Sequence, residues 1–168
     1  MPSDYNMAKE KIYKCRYNHC EHETKDVPAS EAVKDGNRYY HKDCYKTKED
    51  INKIVELFSE HVNPNVVFAV LRKVINNIVF TRGVDSGLLL FGLNYYISNK
   101  ITLNYPQGLY YVIQNKNVIK GYTEKKNREY LIEQKKNMQK IEDNEEMESS
   151  FTYKPSKRKR KSFADILG

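Results

Sequence analysis

Apolar positions change their spacing along the chain, and the change divides it. Up to about residue 46 they alternate in short pieces, Lys11-Ile12-Tyr13-Lys14 and Asn37-Arg38-Tyr39-Tyr40. Alternation predicts strands, because successive side chains of a strand face opposite sides. Asp35-Gly36-Asn37, between Val33 and Tyr39, predicts a hairpin turn, since Gly and Asn accept positive φ at little cost. From Thr47 the spacing becomes helical. Thr47 is the expected N-cap, and Ile51, Ile54, Val55 and Phe58 follow on one face. Asn63-Pro64 predicts a second helix start, with Asn as cap and Pro at the first helical position. Val66, Val67, Val70, Val74 and Ile78 are its expected stripe, and Arg82-Gly83 its end. Asp85 or Ser86 caps a third helix, residues 87 to about 98. Leu88, Leu89, Leu90, Phe91 and Leu93 make that helix apolar almost all round, hence central. Asn104-Tyr105-Pro106 restarts the chain into residues 108–115, and a long charged helix is expected from residue 118 to about 141. The fold class is therefore mainly α: a small β-hairpin module (1–46), a compact bundle of three to four helices (47–122), a charged helix (123–141) and a tail (142–168).

Composition limits what can be buried. Of the 168 residues, 39% are hydrophobic and 30% charged, enough for a modest core but not along the whole length. No apolar run approaches the roughly 18 residues of a membrane-spanning helix, and no signal-like segment follows Met1. Neither a membrane partner nor secretion is expected, and the expected location is cytoplasmic. The net charge of +7 is unevenly placed. Residues 1–50 balance at ten bases and ten acids, residues 51–119 carry six against three, and residues 120–141 seven against three. Residues 142–168 balance at six and six, but five of the acids (Glu142, Asp143, Glu145, Glu146, Glu148) precede the bases. Such a segregated tail is expected to be disordered and to act as an interaction arm.

Cys15-x4-Cys20, then His41-x2-Cys44, is the strongest chemical signal. Zinc takes four soft or borderline ligands at tetrahedral corners, and two short-spaced pairs supply them at low entropic cost. Tyr39-Tyr40-His41 puts the histidine at a strand end, with Cys44 one turn later at a helix start, the plan of a knuckle-plus-helix zinc module. Three cysteines, an odd number, argue against a disulfide framework and for reduced thiols. His19 or His22 is an alternative to Cys20 as ligand. Four such ligands close the site, so one structural Zn2+ is expected, and His61 reads as a surface cap.

Those residues also carry a resemblance. Tyr13-Lys14-Cys15 and Val33-Lys34-Asp35-Gly36-Asn37-Arg38-Tyr39-Tyr40-His41-Lys42-Asp43-Cys44 resemble the small N-terminal zinc finger of many phage proteins. Those often open with two cysteines two residues apart, where this chain has four residues between Cys15 and Cys20. Gly87-Leu88-Leu89-Leu90-Phe91-Gly92-Leu93-Asn94-Tyr95 and Gly108-Leu109-Tyr110-Tyr111-Val112-Ile113 resemble the helical part of such proteins. They are similar, more distantly, to the C-terminal helical module of DnaD-type primosome proteins. The resemblance covers roughly residues 13–125 and implies a replication role in a bacterial host cytoplasm.

The helical region offers no nucleophile–base pair, phosphate-cradling glycine loop or carboxylate cluster at metal spacing, so no enzyme is expected. Tyr95, Tyr96, Tyr105, Tyr110, Tyr111 and Tyr122 have two readings. Beside a basic surface tyrosines can stack on unpaired bases, whereas Tyr95, Tyr110 and Tyr111 at helical spacing can instead fill the core. Candidate nucleic-acid contacts are Lys125, Lys126 and Arg128, with Lys157, Arg158, Lys159, Arg160 and Lys161 of the tail. Glu124, Glu129 and Glu133 can neutralise part of the first group at i+3 or i+4. Phe163, Ile166 and Leu167 form one amphipathic turn suited to docking on a protein partner. The expected function is a zinc-containing, nucleic-acid-associated accessory of phage DNA replication, of primosome or helicase-loading type. The alternative is an adaptor that binds a host or phage protein through the zinc module, the helical core and the C-terminal peptide.

Overall fold

The computed structural model describes residues 10–149, with side chains through residue 139. The chain divides into two units, Met1–Glu124 and Lys125–Gly168. The fold is mainly α, with two small antiparallel hairpins ahead of the helices.

In the first hairpin β1 (Ile12–Lys14) pairs with β2 (Asp26–Pro28), Tyr13 opposite Val27. In the second β3 (Val33–Asp35) pairs with β4 (Arg38–Tyr40), Asp35 opposite Arg38. The turn between β3 and β4 holds Gly36 at φ +58°, the left-handed conformation that the Asp-Gly-Asn signal requires. The sequence reading contained one hairpin; β2 escaped it because Asp-Val-Pro has a single apolar residue to bury. A bridge between Cys15 and Tyr39, and stacking of Tyr13 on Tyr39 with ring centroids 3.7 Å apart, join the hairpins. Their small core is Cys15, Val27, Tyr40 and Cys44.

Five helices follow: α1 (Lys42–His61), α2 (Phe68–Asn76), α3 (Ser86–Ser98), α4 (Leu109–Val112) and α5 (Lys116–Ser149). A π-helical turn, Asn77–Thr81, extends α2, closed by Arg82 N–H donating to the Asn77 carbonyl at 3.0 Å. Ile54 and Phe58 of α1, Leu71 and Ile75 of α2, Leu89 and Leu93 of α3, Leu109 and Val112 of α4 and Val118 of α5 meet in one core. All nine are fully buried, each contributing about 1.5–3 kcal/mol. Asp85 caps α3 as the sequence indicates, accepting from Gly87 N–H at 2.8 Å.

Several expectations need correction. Helix α1 starts at Lys42 with His41 as its N-cap, so Thr47 lies inside it, as does the boundary placed after residue 46. Asn63 makes a tight turn, its Oδ1 accepting from Asn65 N–H at 3.0 Å, and α2 starts later with Val67 as N-cap. That start rotates the helix: Leu71, Val74, Ile75 and Ile78 point inward, while Val67 (63%), Phe68 (53%) and Val70 (42%) are exposed. Among the tyrosines Tyr96 is buried, and Tyr111, expected inside, is 72% exposed. Helix α5 runs to Ser149, past the expected end near residue 141, and takes in the acidic run.

Candidate metal centre

Short local elements carry all four candidate ligands. Cys15 ends β1 and is fixed by its N–H donating to the Lys25 carbonyl at 2.6 Å. Cys20 sits in the loop between β1 and β2, where its N–H donates to the Tyr17 carbonyl at 3.3 Å and tightens the turn. His41 follows β4 directly, and Cys44 lies in the first turn of α1. The three Sγ atoms and one imidazole nitrogen all lie within 4.8 Å of one another.

His41 Nδ1 is 3.5 Å from Cys20 Sγ and 3.8 Å from Cys44 Sγ. A tetrahedral zinc with ordinary bond lengths sets a sulfur–nitrogen edge of roughly 3.6 Å. On the other side of the ring, Nε2–H donates to the Asp26 carbonyl at 3.2 Å. That bond places the ring proton on Nε2 and leaves the Nδ1 lone pair for a metal, an outer contact typical of ligating histidines. Burial pushes the Cys44 thiol well above its ordinary range, helped by its hydrogen bond with Cys20 and by the charges of Cys15 and Asp43. The three cysteines form no disulfide. The group Cys15, Cys20, His41 and Cys44 could therefore hold a metal ion.

The alternative histidines are engaged elsewhere. The His22 ring stacks on His41 with centroids 3.7 Å apart, and its Nε2 lies 2.8 Å from Asp43 Oδ2. His22, Asp43 and Cys44 thus form a second, more exposed set of ligand atoms that shares Cys44 with the first. His19 stacks on Phe80 of the π turn, centroids 4.0 Å apart. Tyr17 also packs on Phe80, and its buried hydroxyl has no hydrogen-bond partner among the described residues. Burial, and then the nearby Cys44, push this phenol up to about 12.

The other candidate residues are spread apart. Lys125, Lys126 and Arg128 lie on α5, with Lys125 Nζ 3.8 Å from Glu129 Oε1, the pairing expected at i+4. Lys157, Arg158, Lys159, Arg160, Lys161, Phe163, Ile166 and Leu167 lie outside the described residues. The positive excess that the sequence places in residues 51–119 is sharper over a narrower span. From residue 61 to residue 123 the chain carries Arg72, Lys73, Arg82, Lys100, Lys116 and Lys120, and Asp85 is its one carboxylate. Counting in blocks that reached back to Glu56 and Glu60 hid that span. Among the described residues no helix is long and apolar enough to cross a membrane. No family model, curated protein or solved structure matches this chain.

Proposed function

We propose that the chain is a zinc-containing, nucleic-acid-associated accessory protein of phage DNA replication, of primosome or helicase-loading type, which binds rather than catalyses. The carrying observation is the span from residue 61 to residue 123, with six bases against Asp85 alone. Asp85 accepts from Gly87 N–H and from the Tyr122 hydroxyl at 2.6 Å, so its carboxylate serves the cap of α3. A stretch of chain with exposed cations and almost no carboxylates of its own attracts a phosphate backbone. The resemblance of the zinc finger and helices to phage and primosome proteins supports the replication role.

Cys15, Cys20, Cys44 and His41 would hold the zinc, through three thiolates and the Nδ1 of a neutral imidazole. Bound there, zinc supplies a cross-link between the β1–β2 loop and the start of α1 and no open position for chemistry. The hairpins bury too little apolar surface to hold that geometry alone.

Fluorescence anisotropy with labelled DNA, from about 50 to 200 mM salt, tests the reading. Affinity should fall linearly on logarithmic axes as salt rises. Absence of binding at the lowest salt, to single or double strands, overturns it. A second reading, a protein-binding adaptor, is favoured by the exposed Val67, Phe68 and Val70 at the start of α2. Capture of a protein partner that survives high salt, without DNA binding, would select it.

A further inference from the structure

A groove of 870 Å³ opens between the β1–β2 loop and the helical core. Two rings form part of its wall, His19 stacked on Phe80 with planes within 10°. His19 is exposed, with Tyr17 edge-on to its ring at 5.9 Å between centroids. Tyr110 of α4 also lines the groove. Its hydroxyl donates to Asn77 Oδ1 at 3.0 Å, and the Arg82 guanidinium lies 4.4 Å from its ring centroid. Arg72 and Lys73 add exposed cations, Gln107 adds a side-chain amide, and among the described residues no carboxylate belongs to the lining.

We infer that this groove seats an unpaired base of a single-stranded nucleic acid, with Arg72 and Lys73 on the flanking phosphates. The inference rests on the nucleic-acid reading above and names the strand type and the site. Its parts match what a nucleotide requires. Ring faces stack on a base of any identity, cations meet the backbone, and amides can meet the hydrogen-bonding edge. A duplex keeps its bases stacked inside and cannot offer one to a concave site. A single imidazole, with no thiol or carboxylate beside it among the described lining residues, does not make a metal site. The groove is also tied to the metal centre, because His19 sits beside Cys20 in the loop that the ligands shape.

The test uses the full-length, zinc-loaded protein and an oligothymidylate carrying one 4-thiothymidine. Irradiation followed by peptide mass spectrometry should place the adduct on His19, Phe80 or Tyr110. His19→Ala should weaken binding about 5-fold or more, the lower end of the loss of one stacking partner. Arg72→Ala combined with Lys73→Ala should lower the salt slope by about 1.4, two contacts at roughly 0.7 each on a single strand. All three are exposed side chains outside the ligand set, and unchanged zinc content together with unchanged helical circular dichroism confirms that the variants are folded. Binding with adducts wholly outside the groove and unaltered variants overturns the groove while leaving the nucleic-acid reading intact. Tighter binding to duplex than to single strand likewise overturns the groove. Binding to neither overturns both.

Discussion

Asp50 of α1 accepts from the Ser86 hydroxyl at 2.8 Å, and both side chains are buried. Asp50→Ala leaves that hydroxyl without its partner, at a cost of about 1–3 kcal/mol. Asp50→Asn keeps an acceptor and should recover most of it, as urea denaturation of the two variants would show. Lys48 acts at the surface: its Nζ lies 2.5 Å from Asp35 Oδ2 and 4.7 Å from the Tyr40 ring centroid, holding the second hairpin to α1. The bond to Asp35 raises the Lys48 ammonium above its ordinary 10.5. A raised folded value means that the stabilisation is complete below the unfolded value and is lost as pH climbs through the folded one. Lys48→Met should therefore cost less than about 1 kcal/mol at pH 7. The difference from the parent should shrink only above pH 10.5, and denaturation curves on both sides of that pH check it. Neither pair was legible in the sequence, since each joins residues 13 or more apart. The grouping of Cys15, Cys20, His41 and Cys44, which could hold a metal ion, was legible, because two short-spaced pairs are displayed directly in a sequence.

Helix existence was readable at the scale of elements, and helix phase was not. The stripe drawn through Val66, Val67 and Val70 assumed that Pro64 begins α2. Val66, Val74 and Ile78 of that stripe are buried, whereas the later start at Phe68 leaves Val67 and Val70 exposed and puts Leu71 and Ile75 inside. Thr47 was misread for a related reason. Apolar spacing becomes visible only at Ile51, whereas α1 starts nine residues earlier, in a stretch with no apolar stripe to mark it. The contact of α3 with α4 and α5 rests on Gly92. A Cβ there would meet Val112 Cγ1, and Val118 Cγ1 at 2.9 Å, with both valines fully buried. Ala would gain about 1 kcal/mol of helix propensity, but overpacking costs about 1–3 kcal/mol. Gly92→Ala should thus destabilise by about 1 kcal/mol, read as a lower urea midpoint at an unchanged slope.

For the whole molecule, mainly-α architecture and an N-terminal hairpin module were legible from periodicity and punctuation. The contact between loop and core through Tyr17, His19 and Phe80 was not, because it joins residues some sixty positions apart with no shared pattern. Charge also belongs to this scale. If the tail bases add to the basic core surface, changing Lys157, Arg158, Lys159, Arg160 and Lys161 to Ala removes up to five phosphate contacts. The salt slope on double-stranded DNA should then fall by up to roughly four units. Replacing Phe163, Ile166 and Leu167 with Ala should leave that slope unchanged. The proposed metal bears on the whole arrangement, since the group that could hold it joins the loop that lines the groove to the start of the helix that enters the core. Metal analysis by native mass spectrometry, on full-length protein purified under reducing, chelator-free conditions, addresses it directly. The expected result is one zinc per chain, lost in Cys44→Ser while most of the helical circular dichroism remains. Parent protein without stoichiometric metal, or a Cys44→Ser variant that keeps its full zinc, would contradict the account.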